Sequence, residues 1–205
     1  AVTDINIYKG DIPASMGGRL SSTLDIHTKK GNDQFTQVWG NVGLISTKLG
    51  VEGPIKKNAS SFLISGRFSR LQWLFQAQDP SIKKFNFYDL TGKMNFKLNS
   101  TNRIFFSFYT GSDNYFNGNN GINWSNRAGT FRWNNILNSK LFLNTTLSAS
   151  GYDYNLYTDV SKDERWNSHI SNVNLKSDFS YFVKPQNEIT FGVGLNGYKF
   201  NPGNL

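Results

Sequence analysis

The side chains with chemistry to offer are few in this chain, and their spacing is the first thing to test. Two histidines, His27 and His169, lie far apart, and cysteine is absent, which excludes a disulfide framework and any thiolate metal site. Asp25-Ile26-His27 would place the acid and the imidazole on one face of a strand, where they could form a metal pair. Two histidines without a cysteine fall short of a four-ligand zinc site, so the same pair also reads as an ordinary polar face. Asp113-Asn114 and Asn117-Gly118-Asn119-Asn120-Gly121 are rich in oxygen ligands that suit Ca²⁺. They lack the EF-hand spacing and its closing Glu, and Asn and Gly in such density equally make a flexible external loop. No serine sits in a nucleophile elbow. The chain is therefore expected not to be an enzyme and to need no cofactor or metal.

Ligand contact is a better use for the aromatic residues. Trp73, Phe75, Tyr115, Phe116, Trp124 and Tyr157 fall in stretches that read as external loops, where their rings suit stacking on an organic ligand. The same rings would serve to pack the loops or to form a girdle. The formal net charge is +8, but Lys and Arg are scattered, with Lys29-Lys30, Lys56-Lys57 and Lys83-Lys84 at strand ends. A nucleic-acid partner would want them clustered on one element with aromatics between them, so none is expected. No run approaches the ~18 apolar residues of a spanning helix. The opening AVTDINIYKG has no basic start followed by an apolar stretch, so a leader was removed or the chain is an internal piece.

The elements that must carry these residues announce themselves by rhythm. From about Gln34, stretches of roughly ten residues alternate apolar and polar side chains. Leu90, Gly92, Met94, Phe96 and Leu98 oppose Thr91, Lys93, Asn95 and Lys97; Leu141, Leu143, Thr145, Leu147 and Ala149 oppose Phe142, Asn144, Thr146, Ser148 and Ser150. Val173 to Tyr181 and Ile189 to Leu195 repeat the pattern. Short breaks fall at Lys56–Ser60, Asn99–Asn102, Leu137–Lys140 and Lys184–Asn187; long ones fall at Ser69–Phe85, Ser112–Trp124 and Tyr154–Trp166.

Strict alternation of short and long connections, on strands long enough to cross a bilayer at a tilt, predicts an all-β transmembrane antiparallel β-barrel built as an up-and-down meander. Apolar residues would then face lipid, polar ones a wet lumen, and Trp39, Phe87, Tyr88, Trp124, Trp133, Tyr152, Tyr154 and Trp166 the interfaces. A soluble β-sandwich or a small barrel shares the same period-two pattern. Before the barrel, Val2–Tyr8 and Leu20–Thr28 read as two short strands around Asp11–Gly18, with Gly17-Gly18 free to take positive φ. Their apolar residues Ile5, Ile7, Leu20, Leu24 and Ile26 would form a small core, and Arg19, Asp25 and Lys29 would keep this segment out of lipid. The boundary falls at residues 1–32 and 33–205.

GDIPASMGGRLSSTLDIHTKKGN resembles the closing segment of the plug domain of TonB-dependent outer-membrane receptors. GNVGLISTKLGVEGPIKKNASSFLISGRFSR is similar to that family's first barrel hairpin, with a Gly-Pro turn at Gly53-Pro54, and FYDLTGKMNFKLNSTNRIFFSFYTG resembles the next. The resemblance implies a plug domain ending near residue 32, then the first nine or so strands of a larger barrel in the outer membrane of a Gram-negative bacterium. It also implies uptake of a scarce ligand, powered by an inner-membrane energy-coupling protein that contacts a more N-terminal part. Outer-membrane lipid would surround it. Two other readings stay open: a structural subunit of a larger outer-membrane complex, partnered by a lipoprotein or other subunit without transport of its own, and a small barrel or sandwich binding module.

Overall fold

The computed structural model describes residues 2–10, 12–16, 21–69, 71–162 and 164–204. Asp11, Gly17, Gly18, Arg19 and Leu20, to which the sequence reading gave a turn and a plug face, lie outside the described residues. Two sheets form. Strands β1 (Val2–Lys9) and β2 (Ser22–Thr28) make an antiparallel hairpin, with Ile5 opposite Ile26 and Ile7 opposite Leu24. The large sheet holds β3 (Gln37–Val42), β4 (Ser46–Lys56), β5 (Ser60–Ser69), β6 (Ile82–Lys97), β7 (Asn102–Asn117), β8 (Asn120–Ile136), β9 (Leu141–Asp159), β10 (Glu164–Lys184) and β11 (Asn187–Asn204). A short helix, α1 (Gln72–Gln76), interrupts the connection from β5 to β6.

Each strand of the large sheet pairs antiparallel with its sequence neighbour, from β3 at one edge to β11 at the other, so the sheet is an open meander of nine strands. The ladders set Thr47 opposite Phe68, Gly53 opposite Phe62, Leu90 opposite Thr110 and Lys97 opposite Arg103, as the alternation predicts. Short turns of two to four residues alternate with the other ends of the hairpins, which are called the turn end and the loop end below.

Three expectations about connections are overturned. Gly53-Pro54 is not a turn: both residues belong to β4, and the chain reverses at Lys57–Ala59, where Asn58 takes φ 61°. Proline is tolerated there because β3 pairs no further along β4 than Glu52 and a register shift follows Pro54; an edge beside an irregularity is where a strand can lose one N–H. Ser112–Trp124 is not a loop either. β7 and β8 run straight through it to a two-residue connection, Gly118-Asn119, with Gly118 at φ 57°. In Tyr154–Trp166 β9 runs to Asp159 and β10 resumes at Glu164, with one short 3-10 turn, Val160–Lys162, between them among the described residues. Strands therefore reach 16 to 21 residues in β6–β11, well beyond the ten or so the sequence suggested.

Period-two alternation gives the sheet two unlike faces, and the covered one is polar. Glu52 and Ser61 are 0% exposed, Ser65 5% and Asn95 7%, whereas Phe106, Leu147 and Leu175 on interior strands are 46%, 45% and 43% exposed. The buried apolar core among the described residues is limited to Leu63 and Ile82. The more exposed side of the sheet is the apolar one.

The covered face, called inner, is the one that meets residues 28–32. Lys29 Nζ lies 2.5 Å from Glu52 Oε1, and the backbone N–H of Asn32 donates to Glu52 Oε2 at 3.0 Å. Ser61 donates to the Gly31 carbonyl at 2.7 Å, and Asn95 donates in turn to the Ser61 hydroxyl. Lys93 donates to the Thr28 carbonyl at 2.8 Å and to its hydroxyl at 2.9 Å, and Lys30 sits 5.4 Å from the Phe105 ring centre. Gly31 has no room for a side chain, since a Cβ would stand 2.0 Å from the Phe62 carbonyl oxygen. The β1–β2 hairpin hangs from this seat as its own small sheet. Its expected core does not form: Ile5, Ile7, Leu24 and Ile26 are each about half exposed, because two strands alone have no second layer to bury their shared face against.

Glu52→Gln removes the charge that both Lys29 and the Asn32 N–H address. Losing a charge-assisted bond at a buried acceptor costs about 1–3 kcal/mol. The expected outcome is faster amide exchange at residues 29–33 with unchanged protection in β6–β9. Unchanged exchange in the linker would show that the seat does not hold it.

Candidate functional site: the inner face and its aromatic mouth

Register places chemically different rows along the inner face. Nearest the loop end, Phe85, Tyr115, Ile122, Leu156 and Trp166 lie side by side on β6 to β10. The next row is Phe87, Asp113, Trp124, Tyr154 and Ser168. Towards the middle the wall turns polar, with Thr91, Lys93, Asn95, Ser107, Thr130, Arg132, Thr146 and Ser148 on the same face. At the turn end, Lys97, Arg103, Asn134, Asn144, Ser180 and Glu188 line a recess of about 650 Å³.

The mouth has defined contacts. Phe75 of α1 packs on Phe85 with ring centres 4.9 Å apart, and Phe85 meets Tyr115 edge-on at 5.4 Å. Arg67 of β5 stands 4.8 Å over the Phe87 ring while its Nε donates to Asp89 at 2.6 Å. The cation is thus held over an aromatic ring by a carboxylate partner, a cation–π arrangement. Below α1, Asp79 accepts from the Ser81 hydroxyl and backbone N–H, which hold its carboxyl below the usual carboxylate range and fix the return into β6.

The six aromatics chosen from the sequence divide between the two faces. Tyr115 and Trp124 belong to the inner mouth, and Phe75 reaches it through Phe85. Trp73, on the same helix, is 57% exposed. Phe116 and Tyr157 lie on the outer face, their tilted rings 5.2 Å apart across Gly121, where a Cβ would stand 2.2 Å from the Phe116 ring. Four of the six are strand residues and none of those four sits on an external loop, because the Asn- and Gly-rich stretches around them extend the hairpins. Phe87, Tyr154 and Trp166, expected at the interfaces, lie on the inner face with the mouth instead, and Phe85 joins them there. Their signal was the register that pairs them with Tyr115 and Trp124.

The other candidate chemistry disperses. Asp25 and His27 do pair at 3.0 Å, on the small hairpin. His169 Nδ1 lies 2.6 Å from Asp153, which also accepts from Arg127 at 2.6 Å, on the outer face. Asp113 and Asn114 point to opposite faces, so the oxygen-rich stretch cannot converge on one ion. Among the described residues no group of three or more His, Asp or Glu side chains could hold a metal ion. Comparison with protein-family models and with curated proteins finds no match.

Phe85→Ala removes the ring that anchors α1. An aromatic pair is worth about 0.5–1.5 kcal/mol beyond its buried area, so limited proteolysis within residues 71–81 should accelerate while the β6–β9 hairpins stay intact. Equal cleavage rates in both proteins would show that Phe75 is not what docks the helix.

Proposed function

We propose that the chain is part of a plugged outer-membrane β-barrel that takes up a scarce organic ligand, a receptor of the TonB-dependent type. The observation that carries this reading is the inverted dressing of the sheet. Along β9 the outward residues Leu141, Leu143, Thr145, Leu147 and Ala149 include no charge, and the first outward charges, Arg127 and Lys199, appear level with Gly151, with Asp153 one row further out. Ten residues of strand span about 33 Å, and a tilt of about 35–45° reduces that to about 25 Å, the height of the lipid-facing band of such barrels. Sheet edges cannot remain open in lipid, so β3 and β11 would pair with further strands of a complete barrel.

The inner face suits the same reading. Residues 28–32 are seated on it by charge-assisted hydrogen bonds, as the end of a plug would be, and the aromatic mouth lies at the end of the longest hairpins, where a ligand would arrive from outside. An aromatic mouth over a polar wall fits an organic ligand with flat, ring-bearing surfaces and hydroxyl or acidic groups. Transport would require the plug to loosen from Glu52, Ser61 and Lys93 under energy coupled from the inner membrane. The long strands and their outer rows beyond the band also leave surface for a further subunit.

Face assignment predicts an asymmetry between neighbours. Leu147→Arg should cost about 2–4 kcal/mol in folding into bilayers, since it sets a charge on the lipid side near mid-depth. Ser148→Arg, one residue on and facing the lumen, should be tolerated far better. Transport itself is tested in the host: deletion of the gene, or dissipation of the proton gradient, should leave one organic solute class behind in spent medium. If neither changes the solutes consumed, uptake is wrong and a scaffold role stands in its place.

A further inference from the structure

Like charges gather on the inner face where residues 28–32 meet it. Around Phe105 of β7, the register sets Arg132 directly opposite on β8 and Asn95 directly opposite on β6. Lys93 and Lys97 occupy the diagonal positions on β6, within reach of long side chains. Arg103 lies two residues along β7 on the same face, directly across from Lys97. From the other side, Lys30 brings its ammonium 5.4 Å from the Phe105 ring centre. Five cations thus surround one aromatic ring.

No carboxylate answers them. Among the described residues, the inner face of β5 to β9 carries no Asp or Glu from the row of Thr91 to the turn end. Glu52 on β4 is taken by Lys29, and Asp178 on β10 by Lys176 at 2.9 Å. Glu188 belongs to β11, on the far side of the turn-end recess. The acids described in the neighbouring segment are engaged elsewhere, Asp4 with Asn6, Asp25 with His27 and Asp33 with Gln34. Like charges placed directly opposite, as Lys97 and Arg103 are, work against strand pairing. Lys29 and the Asn32 N–H would seat the linker without Lys30, so attachment alone does not account for the cluster. Lys97 and Arg103 also line the recess of about 650 Å³, beside Asn134 and Asn144. Asn134 keeps a buried side-chain oxygen with no hydrogen-bond partner among the described residues, an acceptor in need of a donor.

We infer that this cluster is an anion subsite for a hydroxylated organic acid, the class of solute that passes along the inner face. The inference rests on the uptake reading above for the solute's being cargo; its binding follows from the wall itself. A carboxylate would accept from Arg103 and Arg132, whose guanidinium forks match its two oxygens, and Lys30 and Lys97 would add charge. Solute hydroxyls would donate to the Asn134 oxygen once that side chain turns towards them, and would share hydrogen bonds with Asn144, Thr130 and Thr146. From Phe105 to Tyr115 of the mouth is about ten residues of strand, or about 33 Å. A small acid therefore meets the aromatic rings first and the cations second. Because Lys30 belongs to the linker, a bound anion ties residues 28–32 more firmly to the wall, so binding and seating are coupled.

The test uses the full-length protein in bilayers and three probes: glucuronate, glucose and inorganic sulfate. Binding is read by equilibrium dialysis, and seating by amide exchange at residues 29–33. Glucuronate should bind about tenfold tighter than glucose, since hydrogen bonds to a charged group are about twice as strong as neutral ones. It should also slow exchange at residues 29–33. Sulfate at equal concentration should displace it only weakly, having no hydroxyl to donate to Asn134. Arg103→Gln combined with Arg132→Gln should remove both effects. The double variant should resist heat as well as the parent or better, because repulsion is relieved; merely structural cations would make it less resistant. Lys199→Gln on the outer face should change nothing. Equal affinity for glucuronate and glucose, full displacement by sulfate, or a preference surviving the double variant would overturn the proposal. So would faster exchange at residues 29–33 in the double variant without any probe, since the cations would then hold an acidic part of the plug instead. Gene deletion reports separately on uptake. Glucuronate binding with no solute left behind by the deletion removes the uptake reading and keeps the subsite; a solute left behind with no glucuronate preference removes the subsite alone.

Discussion

Main-chain hydrogen bonding across nine antiparallel strands is the constraint on which everything else here depends. Once each strand pairs with its sequence neighbour in a fixed register, period two decides the side of every residue. A one-residue slip between β8 and β9 would send Leu147 inward and Ser148 outward, and with them the whole dressing of the sheet. The ladder also satisfies the peptide groups internally, which is what permits an outer face as apolar as Phe106, Phe131, Leu147 and Leu175 to lie away from water. The same register brings Asn86, Asn114, Asn123, Asn155 and Asn167 of five strands into one hydrogen-bonded row and the aromatics of the mouth into two. None of these groupings exists in the linear chain.

Against that wall, residues 28–32 act as a small and specific attachment. Glu52 is fully buried, and Lys29 and the Asn32 N–H are the partners of its carboxylate oxygens. Pairing at a buried carboxylate adds little net stability compared with an apolar contact, but it penalises misplacement heavily. Such a contact defines where a segment sits while leaving it separable. The exposed apolar stripe of Ile5, Ile7, Leu24 and Ile26 belongs to the same segment.

How much of this was legible in the sequence follows from which signals are local. Alternation in Leu90–Leu98 and Leu141–Ser150, and the short turns at Leu137–Lys140 and Lys184–Asn187, gave nine meandering strands and two faces directly. Ser112–Trp124 misled because Asn and Gly are depleted in strands, and the cross-strand amide bonds that compensate are non-local. Asn117-Gly118 was the available clue, since that dipeptide favours tight hairpins. Gly53-Pro54 misled for the opposite reason: its tolerance depends on β3 ending beside it. The mouth was half legible. Tyr115 and Trp124 read as aromatics of loops and Phe87 and Tyr154 as aromatics of a girdle, and only the register joins them, with Phe85, into one mouth. Phe116 and Tyr157 were assigned the same role, and a parity count along the true strands sends them to the other face.

The central claim is that the apolar face of this sheet is the outer one and meets hydrocarbon. This chain has no cysteine; with any cysteine outside it replaced by serine, single cysteines placed in turn from residue 141 to 153 of β9 can each carry a spin label in the full-length protein reconstituted in bilayers. Accessibility to dissolved oxygen, relative to a water-soluble nickel chelate, should alternate with period two, high at 143, 145, 147 and 149 and low at 144, 146, 148 and 150, with the oxygen preference lost by Asp153. Uniform access to the nickel chelate along the strand, or an alternation of the opposite phase, would contradict the account.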